Sequence, residues 1–303
     1  FLINEMQLSD QQGEWLKRYF RDRIMRHITP IVVDRYLDLA KVLQDDITYL
    51  VTSLRSAEQA QYAFIEVPSK RVPRFIELPK EVGKKRKNII LLDNIIRYCL
   101  DEVFAGFFNY ETAEAYSMKM TRDAAYDLGE NVDLSLLEKM SGGLKQRLTG
   151  QPVRFVYDRD MPTAMVEVIK HKLGITKMDA TIPGGRYHNF RDFIGFPNVG
   201  RKYLENPGLP ALSSASFPAE ETVFESISKG DVLLYYPYHK FHHFTEFVRQ
   251  ASYDPSVRAI KLNIYRVAKN SRIVQSLISA AENGKEVIVV VELQARFDEE
   301  ANI

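Results

Sequence analysis

The stretch VRAIKLNIYRVAKNSRIVQSLISAAENGKEVIVVVEL, residues 257–293, decides the fold of the C-terminal part of the chain. Two apolar runs, at 257–265 and 286–293, flank a segment at 272–281 whose apolar residues recur at helical spacing. The runs are continuously apolar more than alternating, as is typical of parallel strands that are buried on both faces. The stretch therefore predicts a β-α-β unit.

The same pattern extends towards the N-terminus. Residues 231–236 form a further apolar run, and residues 242–251 form a further helical stripe. The order of elements from residue 231 to residue 293 is therefore β-α-β-α-β. Because crossovers between parallel strands are right-handed, the three strands are expected to lie in one parallel sheet.

A boundary precedes this α/β region. The segment ENPGLPALSSASFPAEE, residues 205–221, contains three prolines and three serines and has little periodic apolar content. Such a composition is typical of a linker. We therefore expect two domains, one at residues 1–210 and one at residues 211–303.

The region before the boundary mixes helical and strand patterns. Helical spacing predicts helices at residues 10–27, 93–107 and 134–148. Short β-rich runs next to prolines predict strands at residues 62–67 and 153–157. The pattern indicates an α+β domain, but it does not give the topology.

Two arginines mark the expected ligand edge of the parallel sheet. Arg266 follows one predicted strand, and Arg296 follows the next strand 30 residues later. Ligands of parallel sheets bind beyond the carboxyl ends of the strands, where Asn270 or Ser271 would also cap a helix. Two convergent guanidinium groups suit phosphate oxygens. The alternative is that each arginine pairs with a carboxylate of the acidic run 298–300.

Two other basic segments are also candidates for anion binding. Residues 69–87 carry eight basic and two acidic side chains, a pattern that fits a polyanion site but is more typical of a solvated loop. Residues 181–204 combine Gly184 and Gly185 with several basic side chains, so their backbone amides could form an anion-binding nest. A tight turn followed by a surface loop explains that segment equally well.

Composition excludes several classes of protein. The formal net charge is +1, so the chain as a whole would not attract a polyanion electrostatically, and any anion site must be local. Cys99 is the single cysteine, which excludes an internal disulfide and suits a reducing compartment. The longest aliphatic run, residues 287–291, is too short to span a bilayer.

The histidines and glycines show no further catalytic motif. His239, His242 and His243 are clustered, but they have no cysteine or carboxylate at ligand spacing, so we expect them to begin a helix. The chain contains no Walker loop, dinucleotide fingerprint or nucleophile elbow. The familiar nucleotide folds and hydrolases are therefore not indicated.

Several longer motifs carry a family resemblance. They include WLKRYF at 15–20, VPRFIELP at 72–79, ILLDNIIRYCLDEVF at 90–104, IPGGRYHNFRDFIGFPNVG at 182–200, IKLNIYRVAKNSRI at 260–273 and VVVELQARFDEEANI at 289–303. In this set and order, the chain resembles polyphosphate kinases of the phosphohistidine type. The resemblance covers nearly the whole chain.

The resemblance implies a fold and an activity. Members have an N-terminal helical domain, a head domain that mediates dimerisation, and two catalytic domains similar to phospholipase D. They transfer the terminal phosphate of ATP reversibly to inorganic polyphosphate through a phosphohistidine, with Mg²⁺. By motif, Arg266 and Arg296 would contact the phosphates that hold Mg²⁺. A guanidinium has no lone pair, so neither arginine is expected to be a direct metal ligand.

The resemblance also sets expectations about what lies outside this chain. The phosphohistidine is expected after Ile303, and a nucleotide-contacting asparagine before Phe1. The implied partners are ATP or ADP, polyphosphate, and a second copy of the head domain in a homodimer or dimer of dimers; nucleic acid is not among them. The short aliphatic runs and the absence of a signal-peptide pattern in this sequence predict a cytoplasmic location, with peripheral attachment to the inner membrane left open. The alternatives are a catalytically silent dimerisation and polyanion-binding module, or a phospholipase D-like phosphodiesterase.

Overall fold

The structure, a computed structural model, describes residues 1–303 apart from 46, 58–59, 81–86, 108, 123–151, 177, 201, 269, 294–301 and 303. The described residues divide into two compact bodies. The first body extends to Lys202, and the second body begins at Tyr203. The helix predicted at 134–148 lies outside the described residues.

The first body is built on a mixed sheet. Its strands are β1 Leu2–Ile3, β2 Ile31–Val32, β3 Tyr49–Arg55, β4 Ala60–Glu66, β5 Phe75–Glu77, β6 Ile89–Leu91, β7 Thr112–Arg122, β8 Pro152–Asp158 and β9 Ala180–Gly184. Six of them form a sheet in the order β2-β4-β3-β7-β8-β9, which is antiparallel except for the pair β8-β9. A smaller sheet has the order β1-β6-β5. The strands predicted at 62–67 and 153–157 are β4 and β8.

Helices cover both faces of the larger sheet. The helices of the first body are α1 Asp10–Tyr19, α2 Leu39–Val42, α3 Leu92–Tyr98, α4 Leu100–Phe104 and α5 Thr163–Leu173. Along β3, Leu50 packs into a core with side chains of α1 and α3, whereas Val51 packs into a core with side chains of α2 and α5. Alternate residues of a strand point to opposite faces, so both faces of β3 are buried.

The helix predicted at 10–27 is present as a continuous helical run whose hydrogen-bonding pattern changes along its length. It is α-helical in α1, π-helical over Phe20–Ile24 and 3-10 helical over Met25–His27. Ser9 caps its start by accepting a hydrogen bond from the Gln12 amide. Gly13 allows close packing, because a Cβ there would collide with the hydroxyl of Tyr98.

The second body contains a parallel strand pair with helices on one face. Its elements are α6 Val223–Ser228, α7 His242–Tyr253, β10 Ala259–Ile264, α8 Arg272–Glu282 and β11 Glu286–Val291. The strands β10 and β11 pair in parallel from Ala259 opposite Glu286 to Ile264 opposite Val291. The predicted β-α-β unit is therefore present. None of the helices that the structure describes is long and apolar enough to cross a membrane.

The prediction of a strand at residues 231–236 is wrong. The segment is irregular, and Leu233 is 88% exposed. A strand needs its amides and carbonyls for a neighbouring strand. The backbone groups of Tyr235 bond to His239 instead of to a strand. The Tyr235 amide donates to Nδ1 of His239 at 2.9 Å, and the Tyr235 carbonyl accepts from the amide of His239 at 2.8 Å. Among the described residues, the parallel sheet of this body has two strands.

The expected burial of the parallel strands on both faces is also wrong for this body. Ile260 of β10 packs against α7 and α8, with Val287 of β11 partly buried beside it. On the opposite face Ile288 is 43% exposed and Val290 is 61% exposed. Within the described part of the chain, helices cover only one face of the pair.

Candidate functional site

The carboxyl ends of β10 and β11 form a common edge. Ile264 and Val291 lie opposite each other in the last pair of the register, so the chain leaves both strands at the same level. Tyr265 and Arg266 follow β10 directly and are both exposed. The edge therefore presents one of the two predicted arginines to solvent, at the position where parallel sheets bind ligands.

Arg266 stacks on its neighbour. Its guanidinium carbon lies 5.4 Å from the centre of the Tyr265 ring, a cation-π distance. A guanidinium can stack by its face and donate hydrogen bonds from its edge, and phosphate recognition uses those edge donors. The predicted partner, Arg296, lies outside the described residues, so its convergence with Arg266 stays a prediction.

The helix that follows Arg266 is capped as the sequence predicts. The hydroxyl of Ser271 accepts a hydrogen bond from the amide of Val274 at 3.4 Å, and Ser271 is the N-cap of α8. Asn270 precedes it in the left-handed region, with φ of 58°. The N-terminus of an 11-residue helix, with its unpaired amides, therefore follows Arg266 on the same connection.

Asn302 links the two segments that leave β10 and β11, and the sequence pattern did not single it out. Its side-chain amide donates to the carbonyl of Tyr265 at 2.9 Å and to the carbonyl of Glu292 at 2.7 Å. These carbonyls follow β10 and β11. The contact between Asn302 and Tyr265 joins residues that are 37 positions apart, so no local pattern predicts it. The sequence pointed to Asn302 only through its position in the motif at 289–303.

The glycine- and arginine-rich segment at 181–204 is held by the first body. The carbonyl of Arg186 accepts a hydrogen bond from the Ser117 hydroxyl at 2.5 Å, and the Arg186 guanidinium pairs with Glu5. The Tyr187 hydroxyl contacts the amide of Asn94, whose Nδ2 lies 3.0 Å away. These contacts fit the turn-and-loop interpretation, because the first basic group of the segment already has a carboxylate partner.

A buried ion pair lies under this segment. Nη2 of Arg74 lies 2.9 Å from Oδ1 of Asp93, and both side chains are almost completely buried. Asp192 lies 3.2 Å from Nη1 of Arg74. Burial raises the pKa of Asp93, and the charges of Arg74 and Arg97 oppose that rise. Arg74, which sequence analysis counted in a basic loop, is therefore a structural cation.

Cys99 lies in the core, and His239 and His243 accept hydrogen bonds from backbone amides. Cys99 is buried, and this burial raises the pKa of its thiol to about 12, so it is not a thiolate nucleophile. Nε2 of His243 accepts a hydrogen bond from the Ser214 amide at 3.0 Å, and His242 begins α7 as predicted. No group of three or more metal-binding side chains is found among the described residues.

Comparisons with known proteins agree along the whole chain. A family model described as "Polyphosphate kinase middle domain" matches residues 11–196, and "Polyphosphate kinase C-terminal domain 1" matches residues 222–303. Polyphosphate kinases of Vibrio cholerae and Salmonella typhimurium are 56% and 59% identical over all of this chain. The crystal structure of polyphosphate kinase from Porphyromonas gingivalis matches 99% of this chain with a TM-score of 0.67 and 29% identity.

The match covers only part of each relative. The chain spans 43% of the Vibrio cholerae protein, 44% of the Salmonella typhimurium protein and 43% of the Porphyromonas gingivalis chain. Because a family model covers more than half of the chain and the relatives align along its full length, the chain belongs to the polyphosphate kinase family.

Proposed function

We propose that this chain is part of an ATP:polyphosphate phosphotransferase, which reversibly transfers the terminal phosphate of ATP to inorganic polyphosphate. Residues 1–210 are assigned to a head domain and residues 211–303 to the first part of a phospholipase D-like catalytic domain. One observation carries the proposal: Arg266 lies directly after β10, at the edge where two parallel strands end. Relatives named polyphosphate kinase support the same reaction.

Arg266 would act on the charge of the transferring phosphoryl group. Phosphoryl transfer depends on positioning and on electrostatic stabilisation of the phosphate oxygens, and a guanidinium supplies a permanent charge with fixed donors. Arg296 would supply the second guanidinium, as the family motif implies. The nucleophile would be the phosphohistidine expected after Ile303: the family motif has a lysine two residues after that histidine, and none of the six histidines of this chain has one.

Mg²⁺ would arrive with ATP as part of the substrate. Magnesium prefers oxygen ligands, whereas Arg266 offers only donors. Among the described residues, no cluster of carboxylates or histidines could hold the ion by itself. The Arg266 guanidinium therefore suits contacts to the phosphates that hold the metal.

The head domain would mediate a homodimer or a dimer of dimers in the cytoplasm, with peripheral membrane attachment left open. Exposed apolar side chains support self-association: Phe190 is 70% exposed and Ile194 is 89% exposed. Sedimentation of this chain over a range of concentrations tests the assignment, and a monomer at every concentration contradicts it. Both family models and the relatives favour the kinase, and none favours a phosphodiesterase.

The decisive experiment uses the full-length protein that contains this chain. Arg266→Ala should lower ATP-dependent polyphosphate synthesis about a hundredfold, as removal of one pre-organised donor does in other enzymes. Arg258→Ala is the matched control, because Arg258 is exposed and precedes the opposite end of β10. Near-normal synthesis by Arg266→Ala, or an equal loss in both variants, would contradict the proposal.

A further inference from the structure

The first body carries a basic groove that is not part of the sites described above. It lies between the helical run that starts with α1 and the turn at residues 69–73, and its volume is about 460 Å³. Its lining includes four basic side chains, Arg23, Arg26, His27 and Arg71. Among the described residues that line it there is no carboxylate. This volume is within the range of small-molecule sites.

The helical run places three of the basic residues on one side of the groove. Arg23 belongs to the π-helical turn, Arg26 and His27 belong to the 3-10 turn, and all three side chains line the groove. The run is anchored by Phe20 and Ile24, which are fully buried at the two ends of its π-helical turn. Such turns are rare and occur frequently at functional sites.

The opposite side of the groove is a fixed turn. The amides of Arg71 and Val72 donate to the carbonyl of Pro68 at 2.9 and 3.0 Å. Val72 is buried in the core of the first body, so the backbone under Arg71 cannot move far. The backbone that carries Arg71 is therefore held in place, and the exposed Arg71 side chain lines the groove.

The charges of the groove are not neutralised within the described residues. Neither Arg23 nor Arg71 makes a side-chain ion pair in that part of the chain. The carboxylate of Glu102 forms an ion pair with Arg21, with 2.8 Å between Oε2 of Glu102 and Nε of Arg21. In the basic run at 69–87, Lys87 pairs with Glu77 at 3.1 Å and Arg74 is buried, whereas Arg71 faces the groove. In a chain with a formal charge of +1, this is a local positive field.

We propose that this groove is a binding site for a chain of linked phosphates, separate from the reacting phosphate at Arg266. The inference rests on the proposed function, which makes polyphosphate a substrate. Guanidinium forks suit phosphate oxygens. The groove offers little stacking surface for a nucleobase, because Tyr19 is the only Phe, Tyr or Trp among the described lining residues and Trp15 covers one face of its ring, with 5.0 Å between ring centres. A base-free polyanion is therefore the ligand that fits.

The test measures binding of end-labelled polyphosphate to this chain by fluorescence anisotropy. The variant Arg23→Gln/Arg26→Gln/Arg71→Gln is compared with Arg35→Gln/Lys41→Gln/Arg159→Gln, which removes three charges from exposed side chains outside the groove. At about 50 mM salt, the groove variant should bind at least about tenfold more weakly, with a smaller salt dependence. The control should change affinity less than about twofold. Fluorescence of Trp15, the single tryptophan, verifies folding.

Three results would overturn the inference. They are an equal loss in both triple variants, no polyphosphate binding by the unaltered chain, and equally tight, groove-dependent binding of single-stranded nucleic acid. The failure of this inference is distinguishable from failure of the proposed function. If Arg266→Ala abolishes synthesis in the full-length protein but the groove variant binds polyphosphate normally, only the groove assignment is wrong.

Discussion

The side-chain amide of Asn302 donates a hydrogen bond to the backbone carbonyl of Tyr265 at 2.9 Å, across 37 positions of sequence. The same amide reaches the carbonyl of Glu292 at 2.7 Å. One side chain therefore holds the two segments that leave β10 and β11, and it does so beside Arg266.

Replacement of Asn302 should loosen this edge. Asn302→Ala removes both hydrogen bonds, and since they are exposed we expect a local cost of about 1 kcal/mol. The Glu292 amide, which donates to Ile264 at 3.1 Å, should then exchange its hydrogen about fivefold faster. Asn263→Ala, on the exposed face of β10, is the control and should leave that rate unchanged. Unchanged exchange in Asn302→Ala would show that these bonds do not stabilise the edge.

Local patterns predicted the β-α-β unit but not its surroundings. The unit at 259–291 was predictable because each element carries its own apolar periodicity. The strand at 231–236 was predicted wrongly, because composition cannot show that Tyr235 bonds with His239 and finds no strand partner. The strand β7, residues Thr112–Arg122, was missed because its first half alternates polar and small residues and only later positions are buried.

The site residues also divide into those that a local pattern predicts and those that depend on distant contacts. Arg266 and Ser271 were predictable, because each occupies a fixed position after a strand or before a helix. The contacts of Asn302, and the partners of Arg74, depend on residues that are distant in sequence. The groove needs the turn at 69–73 to meet the helical run, which no local pattern encodes.

The cap of α8 gives a second prediction. Ser271→Ala removes the acceptor of the Val274 amide, which should cost about 1 kcal/mol in the first turn of the helix. The Val274 amide should therefore exchange about fivefold faster by hydrogen-exchange measurement. Ser276→Ala is the matched control, because its hydroxyl bonds to a carbonyl within the same helix and caps nothing. Equal effects of the two variants would contradict a capping role.

The buried pair of Arg74 and Asp93 gives a third prediction. Arg74→Met leaves Asp93 buried without its main partner, which should lower the free energy of unfolding of the first body by about 3 kcal/mol. Urea unfolding followed by Trp15 fluorescence measures this, because Trp15 packs against the core of that body.

A double variant and an exposed pair control for this effect. Adding Asp93→Asn to Arg74→Met should recover part of the loss, since the uncompensated charge is then gone. Lys41→Met breaks the exposed pair with Asp38 and should cost less than about 1 kcal/mol. If the two single variants cost the same, burial does not decide the strength of the Arg74 pair.

His188 gives the last prediction, a dependence of stability on pH. Burial lowers the pKa of its imidazole, and the charge of Lys119 acts in the same direction, although Asp93 and Asp158 oppose the shift. The unfolded chain therefore binds a proton before the folded chain does. The contribution of His188 to stability should be present above about pH 6.5 and should be lost as the pH falls towards its folded pKa. His188→Gln should reduce this loss, measured as the urea midpoint of Trp15 fluorescence between about pH 8 and pH 5. His171 is an exposed histidine in the last turn of α5, so the control variant His171→Gln should show the same loss of stability at low pH as the unaltered chain. A wild-type slope in His188→Gln would mean that another group is responsible.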